Sequence, residues 1–311
     1  MPDIHFKNKD YSDFVKNFEP WAYSKEELVD EVGLKLSRLY AQAVADKDKP
    51  ESYLFMAFIL GMLDNWGQAV KMAEHGRKLL NKVNPEFNFF LACAIWRIKK
   101  QDDDDKYALG QLLWAIELMW EALKQNPIDP RYLNTQGTTA LEYRSILDKL
   151  NDEGEAIPQE ILNSKTRISS EVEAFGFLEQ ALHRVGDDRK LRVRILNNLA
   201  YSYGTTEPPN LEKAEEFLQQ VIDELSGVKP DQNNILPEFE KWQFVIDTRW
   251  YIGAKLAYSK GNVAELEKSI ENLVSLHEKA SLNDSERRDI SAHLNETREW
   301  LDKLKESQVV Q

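Results

Sequence analysis

LRVRILNNLAYSYGTTEPPNLEKAEEFLQQVIDEL, Leu191 to Leu225, reads as a helix, a Pro-containing turn and a second helix. Leu196, Leu199, Ala200 and Tyr203 recur three, one and three residues apart, which places them on a single stripe of an α-helix. Ala214, Leu218 and Val221 do the same in the second half. Small Ala200 and Ala214 let the two helices approach closely while larger neighbours fill the space around them. Nowhere does the chain sustain an apolar–polar alternation, and no Asn-Gly or Asp-Gly turn joins two strand-like runs. The expected fold class is therefore all-α.

The same unit recurs on either side. Ser52 to Pro85 carries Tyr53, Met56, Ala57 and Leu60, then Trp66 at the turn, then Ala69, Ala73 and Gly76. A third unit has Leu91, Ala92 and Ile95, the acidic loop Asp102 to Asp105, and Ala115, Met119 and Ala122 before Pro127. From Pro130 the stripe is Leu133, Gly137 and Ala140; its partner helix, after a polar insertion, bears Ala174, Leu178 and Ala181. The last pair joins Trp250, Gly253, Ala254 and Ala257 to Val263, Leu266, Ile270 and Leu273. Ala57, Ala92, Gly137, Ala200 and Ala254, one per unit, lie 35, 45, 63 and 54 residues apart.

Two helices are expected to close the ends. Ser24 with Glu27 and Asn283 with Glu286 have capping-box spacing. Leu28, Val32, Leu36, Leu39 and Ala43 stripe the first helix; Ile290, Leu294, Leu301 and Leu304 stripe the last, whose other faces are charged. Ahead of them, residues 1–23 read as an irregular arm with one short helix, docked by its aromatic rings. The expected organisation is thus residues 1–49 as arm and cap, 50–281 as one continuous repeat array, and 282–311 as closing helix and tail.

The 311 residues are 42% hydrophobic and 30% charged, enough apolar material for a core. A net charge of −13 repels nucleic acid and anionic membranes. A lone cysteine, Cys93, excludes an internal disulfide, no apolar run is long enough to span a bilayer, and the N-terminus lacks the pattern of a secretory signal. A cytoplasmic setting without membrane insertion is expected.

These units resemble the tetratricopeptide repeat, most closely at LNNLAYSY with LEKAEEFLQQVI and at YLFMAFIL with WGQAVKMAEHG and Pro85. The resemblance spans roughly Ser52 to Leu276. Among the stripe intervals only the first is near the ~34-residue period, and Gly253 and Leu266 depart from the usual Leu and Ala. What the resemblance implies is a right-handed α-α superhelix of about five helix pairs whose first helices line a concave groove. The implied groove residues are Leu54 and Phe58; Phe89, Cys93, Trp96 and Arg97; Arg131, Asn134 and Thr138; Arg194, Asn197 and Tyr201; and Tyr251, Lys255 and Tyr258. Asn can pair a peptide backbone and Arg can hold a carboxylate bidentately, so a protein or peptide partner is the expected ligand. Against this stands the plain alternative that Phe58, Phe89 and Trp96 pack on a neighbouring helix. A second functional expectation is a regulatory or sensor segment of a larger assembly, with which a homo-oligomer is compatible.

Catalysis, cofactors and metals find no motif. His5, His75, His183, His277 and His293 are scattered, Cys93 has no His nearby in sequence, and no phosphate loop occurs. Asp102 to Asp105 lacks the Gly and distal Glu of a calcium loop and reads as a solvated run. Arg189, Lys190, Arg192 and Arg194 alternate with apolar residues, which at helical pitch spreads the cations around the helix and disfavours nucleic acid.

Overall fold

The computed structural model describes residues 4–17, 33–46, 48–99, 104–157, 161, 171–226, 243–278 and 284–309. Among them every regular element is a helix, thirteen in all. They are α1 (Lys9–Asn17), α2 (Gly33–Ala45), α3 (Pro50–Met62), α4 (Trp66–Lys78), α5 (Pro85–Lys99), α6 (Asp105–Gln125) and α7 (Pro130–Asp152). There follow α8 (Glu171–Arg184), α9 (Arg189–Thr205), α10 (Leu211–Ser226), α11 (Gln243–Ser259), α12 (Val263–His277) and α13 (Asp284–Val309). Both expected capping boxes, and Phe18, Trp21, Tyr23, Leu28, Val32, Asp102 and Asp103, involve positions outside the described residues.

Helix starts follow local chemistry. Side chains of Asn65, Asp104, Asp129, Asp188 and Asn262 accept backbone N–H groups at the starts of α4, α6, α7, α9 and α12. Each satisfies donors that have no partner within the helix. Pro50, Pro85 and Pro130 stand first in α3, α5 and α7, where proline's fixed φ suits the helix and its missing N–H costs nothing.

The chain divides into two compact units, Met1–Gly186 and Asp187–Gln311. The expected continuous array over 50–281 is therefore split, at a turn where Gly186 takes a φ of 59°. In the first unit α3 pairs with α4, α5 with α6 and α7 with α8, and α2 covers α3. In the second, α9 pairs with α10, α11 with α12, and α13 closes on α11 and α12. Within each unit the second helix of one pair packs on the first helix of the next, and successive first helices also touch: α3 with α5, α5 with α7, α9 with α11.

The five expected helix pairs are all present, and the small residues explain why they are close. Ala57, Ala92, Ala200 and Ala254 are fully buried, as are Ala73, Ala122, Ala181 and Ala214 on the second helices. At Gly137 an added Cβ would stand 2.7 Å from Leu178 Cγ and 2.9 Å from the Ala174 carbonyl oxygen. At Gly204 it would lie 2.1 Å from Ile252 Cδ1, where α9 meets α11. In α13, Ile290 and Leu294 join Leu273 and Leu276, while Leu301 and Leu304 pack on Ala254, Ala257 and Leu266. The same face of α13 also buries two polar residues that the expected stripe did not include, His293 and Thr297.

Gly137→Ala, blocked by a backbone oxygen that cannot step aside, is expected to cost about 1–3 kcal/mol of stability. Gly110→Ala, inside α6 with nothing within 4 Å of the new Cβ, should instead gain about 0.5–1 kcal/mol. Urea unfolding of the two variants checks the opposite signs.

Candidate functional site

The three first helices of the N-terminal unit begin alike: Pro50-Glu51, Pro85-Glu86 and Pro130-Arg131. Proline fixes each start, so the second residue of each helix occupies the same place in successive units. Two of those side chains, Arg131 and Glu86, are joined directly, and Glu51 is linked to them only through the N-terminal arm. Arg131 donates to Glu86 through Nη1 to Oε2 at 3.1 Å and Nη2 to Oε1 at 2.7 Å. It also donates to its own cap, Asp129, from Nε at 3.1 Å and Nη2 at 2.7 Å. The Tyr132 hydroxyl donates to Glu86 Oε1 at 2.7 Å. The guanidinium lies over the Phe89 and Tyr132 rings, 5.4 and 5.0 Å from their centroids.

Arg131 is only 5% exposed. Burial works against its charge, but the hydrogen bonds and charges of Asp129 and Glu86 outweigh it and hold its pKa above the ordinary value. Removing such a buried partner leaves two carboxylates uncompensated, which costs on the order of 3–5 kcal/mol.

The N-terminal arm runs across this set. Glu86 Oε2 accepts the backbone N–H of His5 at 3.0 Å. Glu51 Oε1 accepts that of Asn8 at 3.1 Å, and that of Lys7 as well. Along residues 4–7 burial alternates: Ile4 and Phe6 are buried, His5 and Lys7 exposed. Asn8 then caps α1 through Oδ1 to Asp10 N at 3.0 Å. Phe6 meets Phe55 and Phe58 edge-on at 5.6 and 6.2 Å, Tyr11 stacks on Phe55 at 4.1 Å, and Phe14 meets Phe55 edge-on at 5.9 Å. Among the arm's described residues, 4–17, the rings dock on α3 and one short helix, α1, is present. Burying each large apolar side chain contributes roughly 1.5–3 kcal/mol, against about 1.5–3 for a hydrogen bond to a charged group. Apolar anchors and carboxylates therefore contribute comparably, and the carboxylates also fix the backbone's register.

This geometry corrects several assignments. Leu54, Phe58 and Phe89 are buried, so they do not line an open surface. Phe58 lies under the arm, and Phe89 lies under Arg131. Arg131 does hold carboxylates, as its chemistry suggests, but they are Glu86 and Asp129 of the same chain. Half-buried positions on this face are Cys93, Trp96, Arg97, Asn134 and Thr138. Trp96 donates Nε1–H to Glu142, and Arg97 lies 5.1 Å from the centroid of the Trp96 ring. Thr138 bonds the Asn134 carbonyl at 3.1 Å. Glu51, Phe55 and Glu86 were missed. The signal available for them was the Pro-Glu pair repeated at the 35-residue interval.

In the C-terminal unit a second polar set joins three helices. Asp247 of α11 lies 2.9 Å from His293 Nδ1 of α13, and the Tyr201 hydroxyl of α9 lies 3.3 Å from His293 Nε2. Both contacts are satisfied by one tautomer, with Nδ1–H donated to Asp247 and Nε2 accepting from Tyr201. Tyr251 stacks on His293 at 3.9 Å and donates its hydroxyl to Glu296 at 2.5 Å. Lys255 Nζ donates to the Gly204 carbonyl at 3.1 Å, near the end of α9, and lies 5.3 Å from the Tyr251 centroid and 5.7 Å from that of Trp300.

Tyr201, Tyr251 and Lys255 are therefore brought together, but not as one free surface. Tyr251 is buried; Lys255 is half-buried and committed to the α9 carbonyl end, where a cation is favoured. Tyr201 is 38% exposed as a residue, yet its hydroxyl is the enclosed end. Burial first, then the charges of Asp247, Asp289 and Glu296, hold that hydroxyl above the usual tyrosine range. The chain Asp247–His293–Tyr201 thus keeps a protonated phenol and ties α9, α11 and α13 together. Asn197 is also buried, with its Oδ1 lacking a hydrogen-bond partner, while Arg194 and Tyr258 are half-buried.

Other charged features serve the fold. Arg189 donates to the Glu224 and Leu225 carbonyls at the end of α10, and Arg192 pairs with Glu224 at 3.4 Å. Asp104 caps α6, and Asp105 pairs with Lys149 at 2.6 Å. Among the described residues no group of three or more His, Cys, Asp or Glu side chains could hold a metal, and no helix is long and apolar enough to cross a membrane. No protein-family model matches the chain, and a search of curated proteins returns no match.

The buried tyrosines set the alkaline behaviour. Burial raises the pKa of Tyr11, of Tyr132 and of Tyr251, the latter two also through Glu86 and Glu296. A folded pKa above the unfolded value of about 10 means that their contribution is complete below pH ~10 and is lost as pH rises beyond it. The urea midpoint should therefore fall above pH ~10, less steeply in Tyr251→Phe. Ultraviolet titration should show these tyrosines ionising only as the protein unfolds.

Proposed function

We propose that the chain is a non-enzymatic interaction scaffold of the tetratricopeptide-repeat kind, working in the cytoplasm, which holds a protein or peptide partner on the faces of its first helices. The observation that carries this is the side-by-side placement of successive first helices within each unit, which lets one bound segment touch consecutive helix pairs of that unit at once. A partner that spans consecutive pairs gains affinity from each of them without needing a deep cavity. Paired helices, an overall acidic charge and the use of Arg189 and Arg192 within the fold all favour a protein ligand over nucleic acid.

Arg97 of α5 and Arg194 of α9 are half-buried cations on first helices, one chosen from each compact unit, and suit acidic or carbonyl-rich partner groups. Arg97→Glu combined with Arg194→Glu should lower recovery of co-purifying protein about tenfold or more, with helicity unchanged by circular dichroism. Equal recovery by the folded double variant would remove these faces from the account.

A further inference from the structure

Residues 4–8 lie on the face of α3 and α5 in the manner of a bound peptide. Ile4 and Phe6 point in, His5 and Lys7 point out, and backbone N–H groups of His5, Lys7 and Asn8 are taken by carboxylates. Both carboxylates come from the same position of consecutive units, Glu51 and Glu86, and Arg131 fixes the second. Phe6 fills the place between Phe55 and Phe58. Nothing in this recognition depends on the outward side chains, so the face reads a pattern: apolar, any, aromatic, any, along a backbone whose N–H groups can reach the two carboxylates.

We propose that the α3–α5 face is a receptor for such a segment in a partner protein, and that the chain's own N-terminal arm occupies it until the partner displaces it. The proposal rests on the scaffold function above and names the ligand class for one of its faces. An external partner is favoured over the arm of a second copy by simple competition. A tethered arm acts at an effective concentration of about millimolar. An identical arm from another molecule makes the same contacts and loses that contest at micromolar protein, whereas a partner with contacts beyond residues 4–8 can win it. Such an arrangement gates access: weak, pattern-only ligands are refused and extended, multi-unit ligands are admitted.

The test uses the full chain and a fluorescein-labelled peptide of residues 1–17. Phe6→Asp places a charge against the Tyr11, Phe55 and Phe58 rings and should release the arm without touching α3 or α5. That variant is expected to keep its helicity and to bind the peptide one-to-one, at least about tenfold more tightly than the wild-type chain does, because no tethered competitor remains. The same peptide methylated on the His5 nitrogen cannot donate to Glu86 and should bind about tenfold more weakly. On a peptide array, folded Phe6→Asp should select segments with the apolar-any-aromatic pattern over scrambled ones.

A folded variant that binds no peptide, or that shows no pattern preference, overturns the proposal. If Phe6→Asp unfolds instead, the wild-type chain with a protease site inserted after Lys25 is cut and offered excess labelled peptide. Exchange with the core intact supports the proposal; no exchange, or collapse of the core as the severed arm leaves, makes the arm an integral part of the fold and overturns it. A wild-type dimer that exchanges arms at micromolar concentration assigns the face to a second copy and overturns the external partner. None of these outcomes bears on Arg194, so a failure here is distinct from a failure of the scaffold function itself.

Discussion

Close approach of two helices at a point with no side chain is the constraint from which the architecture follows. Where Gly137 faces the Ala174 carbonyl and Leu178, or Gly76 faces Tyr53 Cβ and the Pro50 carbonyl, there is no room for a methyl group. Larger residues to either side, such as Leu133, Leu141 and Leu199, are buried and fill the flanks. Interiors packed at crystal-like density transmit such local constraints along the element. A pair fixed in this way presents its remaining face to the next pair, and repetition builds the two units.

Upon that scaffold the Pro-X starts of α3, α5 and α7 place three charged side chains in register. Two are acidic at helix N-termini, where the helix dipole favours them. The third, Arg131, stands at the end the dipole disfavours. Its position is tolerated because Asp129 and Glu86 enclose it with four hydrogen bonds. The same ladder that stabilises the unit supplies the acceptors that hold the arm, so packing and recognition share one set of residues. In the C-terminal unit the corresponding work of joining helices is done by Asp247, His293 and Tyr201, a buried polar chain that binds three elements at once.

The helices, their pairing and small stripe residues such as Ala57, Ala92 and Gly137 could be read from the chain, because each depends on a fixed helical period and on neighbours within the same helix pair. Cap residues such as Asn65, Asp188 and Asn262 are local in the same sense. The division after Gly186 could not be read this way, since it reflects which packed surfaces meet and not any composition shift. Nor could the fate of the groove side chains: Phe58 and Trp96 have the same helical spacing, yet one lies under Phe6 while the other remains half-exposed beside Arg97.

What the amino-acid order determined by itself was the all-α class, five helix pairs and the ring-docked arm, since these arise from periodicity, proline placement and residue size. Only the tertiary structure decided that Arg131 meets Glu86, that His293 meets Asp247, and that Glu51 and Glu86 together hold residues 5–8. Those partners lie 45, 46 and 43–81 positions apart in the chain. At that separation charge and hydrogen-bonding capacity say what a side chain could bind, while only the packed helices bring one particular partner within 3 Å.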